Sequence, residues 1–230
     1  MEQRAHAETS RFDFGPLAHE YDRWYETPAG RAHDRVQKAD VRRVLRAARA
    51  GERLLDVGCG TGHWSSFFKA MGYDVHGIDV SPEMIAVAQG CVPDCNFEVA
   101  DACALPFEDA SFHVVAAMTT LEFVADAARA VEEMARCTRP GGSMLVGTLN
   151  KLAPLNRRRV SKGEPPYASG HLFSPEELRN LLSPWGSVRM VASAPCFGKA
   201  RSLVSTGVAG LSPTQRGRLR GAFVVAEVRR

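Results

Sequence analysis

Apolar positions Val36, Val41, Val44, Leu45 and Ala48 recur at helical spacing between Ala29 and Ala50, and Gly51 then supplies a stop. Arg53 to Val57 is short, apolar and bounded by glycines, which predicts a buried strand, with a helix over Gly62 to Ala70 behind it. The same alternation continues. It predicts strands at Asp74 to Ile78, Asn96 to Val99, Phe112 to Ala117 and Ser143 to Leu149, with helices at Pro82 to Gln89 and Ala125 to Cys137. Strands alternating with helices imply a parallel sheet. Ser81 before Pro82, and Ser174-Pro175-Glu176-Glu177, carry N-cap signals, the second with a capping-box glutamate.

After Leu149 the pattern loosens. Lys151 to Leu172 is rich in Arg and Pro and reads as an irregular insertion over the sheet edge. A helix near Ser174 to Leu182, a strand near Val188 to Ser193 and a last strand at Ala222 to Val228 follow. The last strand is expected to close the sheet in the antiparallel sense. The polar first ten residues are expected to be disordered.

Composition narrows the class. With 45% hydrophobic and 24% charged residues in 230, the chain fits one α/β domain, with an N-terminal cap over 11–50 and the insertion over 151–172. No apolar run approaches a membrane span, and the start lacks a signal-peptide core, so the expected location is the cytoplasm. A net charge of +3, with basic residues dispersed apart from Arg157-Arg158-Arg159 and the C-terminal segment, gives no reason to expect nucleic acid. Six cysteines without an export signal read as reduced thiols. Cys91 and Cys95 have a metal-like spacing but no matching pair, so no metal is expected. Oligomeric state is left open.

The chemistry enters at Leu54-Leu55-Asp56-Val57-Gly58-Cys59-Gly60-Thr61-Gly62. Gly58, Gly60 and Gly62 lie between a strand and a helix, where the chain turns sharply and a ligand approaches the backbone. Dinucleotide enzymes use a related turn, but spaced G-x-G-x-x-G around a pyrophosphate. Here the spacing is G-x-G-x-G and Asp56 precedes it, a carboxylate that would repel a pyrophosphate and attract an ammonium. Asp79 ends the second strand, where it can accept from a ribose diol, and Asp101 follows the third, within reach of an adenine amino group. One such aspartate is equally well explained as a turn or helix cap. Three in register with a glycine turn specify a nucleoside with a zwitterionic tail.

On these residues, and on Gly77-Ile78-Asp79-Val80-Ser81-Pro82-Glu83-Met84, Asp101 to Phe107 and Arg139-Pro140-Gly141-Gly142, the chain resembles the class I methyltransferase superfamily, especially the small-molecule branch of ubiquinone and menaquinone methyltransferases. The resemblance covers roughly Leu17 to Leu149. It implies a Rossmann-like α/β fold, a seven-stranded, mostly parallel sheet of order 3-2-1-4-5-7-6 flanked by helices, and S-adenosyl-L-methionine as methyl donor with S-adenosyl-L-homocysteine as product. It further implies that Gly58, Cys59, Gly60, Thr61 and Gly62 meet the methionyl part with Thr119, that Asp79 meets the ribose, Val80 and Met84 the adenine faces, and Asp101 with Ala102 the adenine edge.

Methyl transfer from a sulfonium is an in-line displacement, so the protein must chiefly orient the acceptor and exclude water. Tyr21, Trp24 and Tyr25 fall on one helical face and resemble the segment that closes over the donor in related enzymes; equally, they are ordinary packing aromatics. Glu122, after the fourth strand, is the candidate acid or base, with a helix-start acid as the competing reading. His171 and Phe173 are candidates to border a small-molecule acceptor. Glu164-Pro165-Pro166-Tyr167 resembles the Asp/Asn-Pro-Pro-Tyr motif of enzymes that methylate adenine or glutamine nitrogens, but it follows the fifth strand rather than the fourth and reads as a rigid loop. Two rivals stay open: a noncatalytic donor-binding or regulatory protein on the same fold, and an NAD-dependent oxidoreductase.

Overall fold

The computed structural model describes residues 10–192, 203–205 and 221–230. Nearly all of the ten-residue start expected to be disordered, the end of the predicted strand at Ser193, and Cys196 lie outside them.

Seventeen residues, Pro28–Val44, form α2, preceded by a single turn, α1 (Arg23–Glu26). The Thr27 side chain accepts from the Gly30 N–H at its start. α2 stops six residues earlier than its periodicity suggests, because Leu45 takes extended backbone and Ala48 donates its N–H to Met71, across the first crossover. The expected alternation then follows: β1 (Arg53–Val57), α3 (His63–Ala70), β2 (Asp74–Asp79), α4 (Pro82–Cys91), β3 (Asn96–Val99), β4 (Phe112–Met118), α5 (Ala127–Cys137) and β5 (Thr138–Leu149). Asp126 caps α5 by accepting from the Arg129 N–H, so the helix starts two residues later than expected and Glu122 lies outside its first turn.

The stretch read as an irregular insertion contains a helix, α6 (Pro154–Ser161). Buried Asn156 fixes it by donating to the carbonyls of Asn150 and Ala222, a partnership that periodicity cannot show. α7 (Pro175–Leu182) carries the complete capping box of Ser174 and Glu177. β6 (Ser187–Ala192), β7 (Leu203–Ser205) and β8 (Phe223–Arg229) complete the described strands.

The sheet runs β3-β2-β1-β4-β5-β8-β6-β7. With β8 counted as the seventh strand, this is the expected 3-2-1-4-5-7-6 with one short strand, β7, added at the outer edge. β1 to β5 pair in parallel, whereas β8 is antiparallel to both β5 and β6. Period-two alternation sends Leu55, Val57, Val115, Ala117, Met144 and Val146 to one face, packed with Met134 of α5 and Leu178 of α7. Leu54, Val75, Val114, Ala116 and Leu145 face the other way, onto Val41 of α2 and Phe67 and Phe68 of α3. With both faces covered, a cleft has room only at the strand ends. Among the described residues no helix is long and apolar enough to cross a membrane.

Candidate functional site

The turn from β1 into α3 uses its three glycines differently. All have positive φ: 67° at Gly58, 53° at Gly60 and 85° at Gly62. A Cβ on Gly58 would lie 2.1 Å from Cγ2 of Thr120, whose hydroxyl donates to the carbonyl of Val57 at 3.0 Å. Gly58 thus lets the β4 end clamp the turn. A Cβ on Gly60 would meet nothing within 4 Å, so its backbone is open to a ligand. Gly62 caps α3 and faces Val92, Phe97 and Ala88; its role is packing.

Asp79, at the end of β2, accepts from the Gly60 N–H at 2.9 Å and the Ser81 N–H at 3.0 Å, which draws the turn and the start of α4 around one carboxylate. Burial raises its pKa, and the hydrogen bonds oppose the shift. Asp101 accepts from the Cys103 N–H at 2.8 Å. Thr119 follows β4 with φ of 56°, a strained position for a β-branched residue, held by its N–H to the Gly147 carbonyl at 2.7 Å.

Together these groups wall a cavity of about 630 Å³ at the carboxyl ends of the parallel strands, within the size range of ordinary ligand sites. Of the expected donor-binding residues, Tyr21, Gly58, Cys59, Gly60, Thr61, Asp79, Val80, Met84, Asp101, Ala102 and Thr119 line it, and so does Tyr25. Burial pushes the phenols of Tyr21 and Tyr25 up and the Cys59 thiol up, so all three stay protonated and Cys59 is a poor nucleophile.

Six expected residues stand elsewhere. Asp56 lies beneath the turn, fully buried, accepting from the Ser65 hydroxyl at 2.6 Å. Burial pushes its pKa up to about 7 against that hydrogen bond. It shapes the turn from below rather than facing a ligand. Gly62 packs, as described. Glu122 is sealed behind the cleft wall: Oε1 accepts from the Leu149 N–H at 2.5 Å, Oε2 has no hydrogen-bond partner among the described residues, and burial pushes its pKa up to about 7. Trp24 packs edge-on against Tyr25 and tilted against His33. Phe173 is in the main core and His171 is exposed, its N–H donated to the Glu122 carbonyl.

The strap formed by Ser10 to Phe14 has no signature in the hydrophobic pattern. Ser10 bridges Val124 in antiparallel fashion, and Arg11 donates its backbone N–H to Phe123 and its guanidinium to the carbonyls of Val124 and Ala125. Phe14 packs edge-on against Phe12, Tyr21 and Phe123, making an aromatic roof. The pairings with Phe123, Val124 and Ala125 span more than a hundred residues and have no local signal. His63, also in the lining, stacks on Tyr25 with centroids 3.8 Å apart and binds Asp34 at 2.7 Å.

Four carboxylates, Asp13, Asp79, Glu83 and Asp101, line the cavity against one arginine, Arg11, which is already engaged with carbonyls. An acidic, partly aromatic wall with an open glycine backbone suits a nucleoside carrying a positive charge and opposes a pyrophosphate.

Comparison with known proteins agrees. The family model described as a methyltransferase domain matches residues 55–146. A demethylmenaquinone methyltransferase of Renibacterium salmoninarum is 42% identical over 96 residues, 42% of this chain and 40% of that one. A malonyl-acyl-carrier-protein O-methyltransferase of Hamiltonella defensa is 31% identical over 182 residues, 77% of this chain and 70% of that one. The chain spans about two fifths of the length of several curated relatives it matches. A solved SAM-dependent methyltransferase of Thermotoga maritima shares the fold at TM-score 0.74, with 24% identity over 94% of this chain and 97% of that one. Turn, carboxylates, strand order and these likenesses agree, and the chain belongs to the class I S-adenosylmethionine-dependent methyltransferase family.

Proposed function

We propose that the protein transfers a methyl group from S-adenosylmethionine to a small-molecule acceptor that has an apolar portion. The observation that carries this reading is the single cavity wall on which an open Gly60 backbone, Asp79 and Asp101 stand beneath an aromatic roof. Neither rival fits as well: the acidic wall opposes a dinucleotide, and the two curated relatives named above are methyltransferases by name.

Asp79 and Asp101 would hold the ribose and the adenine edge, Val80 and Met84 the base faces, and Gly58 to Thr61 with Thr119 the methionyl end. S-adenosylmethionine supplies an electrophilic methyl group bonded to a positive sulfur. Tyr21, Phe12, Phe14 and Phe123 exclude water from the reacting face and present ring faces and edges to an acceptor. Glu122 does not touch the cleft, and we assign it a positioning role: it ties the segment after β4 to the end of β5 through the Leu149 N–H. Where the acceptor arrives protonated, we assign its proton to His63, which lines the cleft with Nε2 between Asp34 and Lys38.

We take residues 1–230 as one methyltransferase domain. The cysteines of the described residues are unpaired, as a reducing compartment keeps them, and we place the protein in the cytoplasm. The acceptor is read as a small molecule and not nucleic acid, and the protein as having no membrane span.

The experiment is a labelled-methyl assay, first with demethylmenaquinone and malonyl-acyl-carrier protein and then with fractionated cell extract. A labelled small product together with S-adenosylhomocysteine is expected. Donor binding without transfer to any fraction would favour the noncatalytic reading. No rise in melting temperature with saturating S-adenosylhomocysteine would overturn the cofactor itself.

A further inference from the structure

The arginines that look dispersed along the chain are gathered by the fold. A second cavity, of about 490 Å³, opens at the opposite end of the sheet from the donor cleft, where β1, β4 and β5 begin and β8 ends. Seven arginines line it against two carboxylates, Glu52 and Glu227. Both carboxylates already face an arginine, although Oε2 of Glu227 has no hydrogen-bond partner among the described residues. Glu52 takes both Arg46 guanidinium nitrogens, at 2.5 and 2.6 Å, and the Arg49 N–H at 2.9 Å. Glu227 accepts from the Ser143 hydroxyl at 3.0 Å and pairs with Arg229 at 3.3 Å.

That leaves a surplus of positive charge. Among the described residues the guanidinium groups of Arg49 and Arg139 have no carboxylate partner, and Nε of Arg189 is buried without a hydrogen-bond partner. The other nitrogens of Arg189 are only partly used, one donating to the Arg43 carbonyl at 2.6 Å. His113, on the wall, is held below its ordinary pKa by burial first and then by Arg139, with Glu52 opposing. Clustered guanidinium groups repel one another unless an anion sits among them, and their planar forks match phosphate oxygens.

We propose that this cavity is a second ligand site, for a small molecule carrying a phosphate or polyphosphate group. Its concave shape and volume favour a compact ligand over a macromolecular surface. The site is separate from the donor cleft: the two linings share no residue. The inference does not rest on the methyl-transfer reading.

Isothermal titration calorimetry of the full chain with pyrophosphate, at constant ionic strength, tests it, with inorganic phosphate and ATP run beside it to separate a free anion from a phosphorylated metabolite. Wild type is expected to give a one-site isotherm. Arg139→Glu and Arg49→Glu, two exposed positions on different segments, should each weaken binding by about tenfold or more, since each removes a charge-assisted contact. S-adenosylhomocysteine affinity and the far-ultraviolet circular dichroism should be unchanged in both. Absence of saturable binding, or equal binding by wild type and both variants, overturns the proposal. If one variant fails to fold, the other decides by itself.

Discussion

At the residue scale, the glycines of the turn have different tasks and the buried carboxyl of Glu122 has a cost. Gly58→Ala places a Cβ against Thr120 at 2.1 Å and at positive φ, so the turn must come apart from β4. The expected loss exceeds about 2 kcal/mol, measured by urea unfolding. Gly60→Ala meets no protein atom, so only the left-handed backbone is penalised, about 1 kcal/mol, while donor affinity falls by about tenfold or more because the Cβ enters the ligand's space. Equal stability losses in the two variants would sink this division of labour. Glu122 makes a different prediction. Its folded pKa of about 7 lies above its ordinary 4.5, so the native state binds the extra proton between those values and stability must fall as pH rises through that window. The full penalty, about 3 kcal/mol, is reached above pH 7. Glu122→Gln keeps an acceptor for the Leu149 N–H without the charge. Its stability relative to wild type should therefore grow from pH 5 to pH 8, about a few kcal/mol in all, as read by melting at each pH. A pH-independent difference would show that Glu122 does not titrate as described.

At the scale of elements, legibility followed sequence distance. The core strands, α4 and α7 were readable because their periodicity and caps are local: Ser81 and Ser174 signal helix starts within four residues, and both caps are made. Ser174→Ala should cost about 1 kcal/mol and about 2–4 °C in melting temperature for a chain this size; no change would mean that α7 is held by packing alone. α6 was not readable. It is basic on its surface and depends on Asn156 reaching Ala222, 66 residues away, so local pattern and stabilising contact are separated. The same reason hid the strap, whose Ser10 and Arg11 bonds reach 113 residues along the chain. Asp56 misled for the opposite reason: its place in the motif is visible, but Ser65, nine residues on, turns the carboxyl inward. The strap gives its own prediction. Arg11→Ala removes two guanidinium bonds at the rim of the cleft, each contributing about 1 kcal/mol, and should speed donor release by about fivefold; because the strap opens locally before the core unfolds, the melting temperature should change little. Stopped-flow fluorescence of Trp64, which lines the cleft, reads the rate, and an unchanged rate would remove the strap from donor retention.

At the scale of the whole molecule, the sheet separates charge. Its carboxyl end carries four carboxylates against Arg11, and the opposite end carries the arginine cavity. A donor with a positive sulfur is drawn toward the acidic end, whereas the demethylated product has lost that charge on the same scaffold. Electrostatic steering acts on the encounter and is screened by salt. The association rate of S-adenosylmethionine should therefore fall by about twofold or more between about 50 mM and about 500 mM salt, while that of S-adenosylhomocysteine stays nearly flat. The dissociation rates should respond less, because the bound groups are shielded within the cleft. Stopped-flow fluorescence with both ligands makes the comparison under identical conditions. A parallel decline for the two would mean that salt acts on the strap or on the protein as a whole. A decline confined to the donor would tie ligand discrimination to Asp13, Asp79, Glu83 and Asp101, and replacing Asp13 or Glu83 by the neutral amide should then flatten the donor's salt dependence while leaving Asp79 and its two backbone bonds in place.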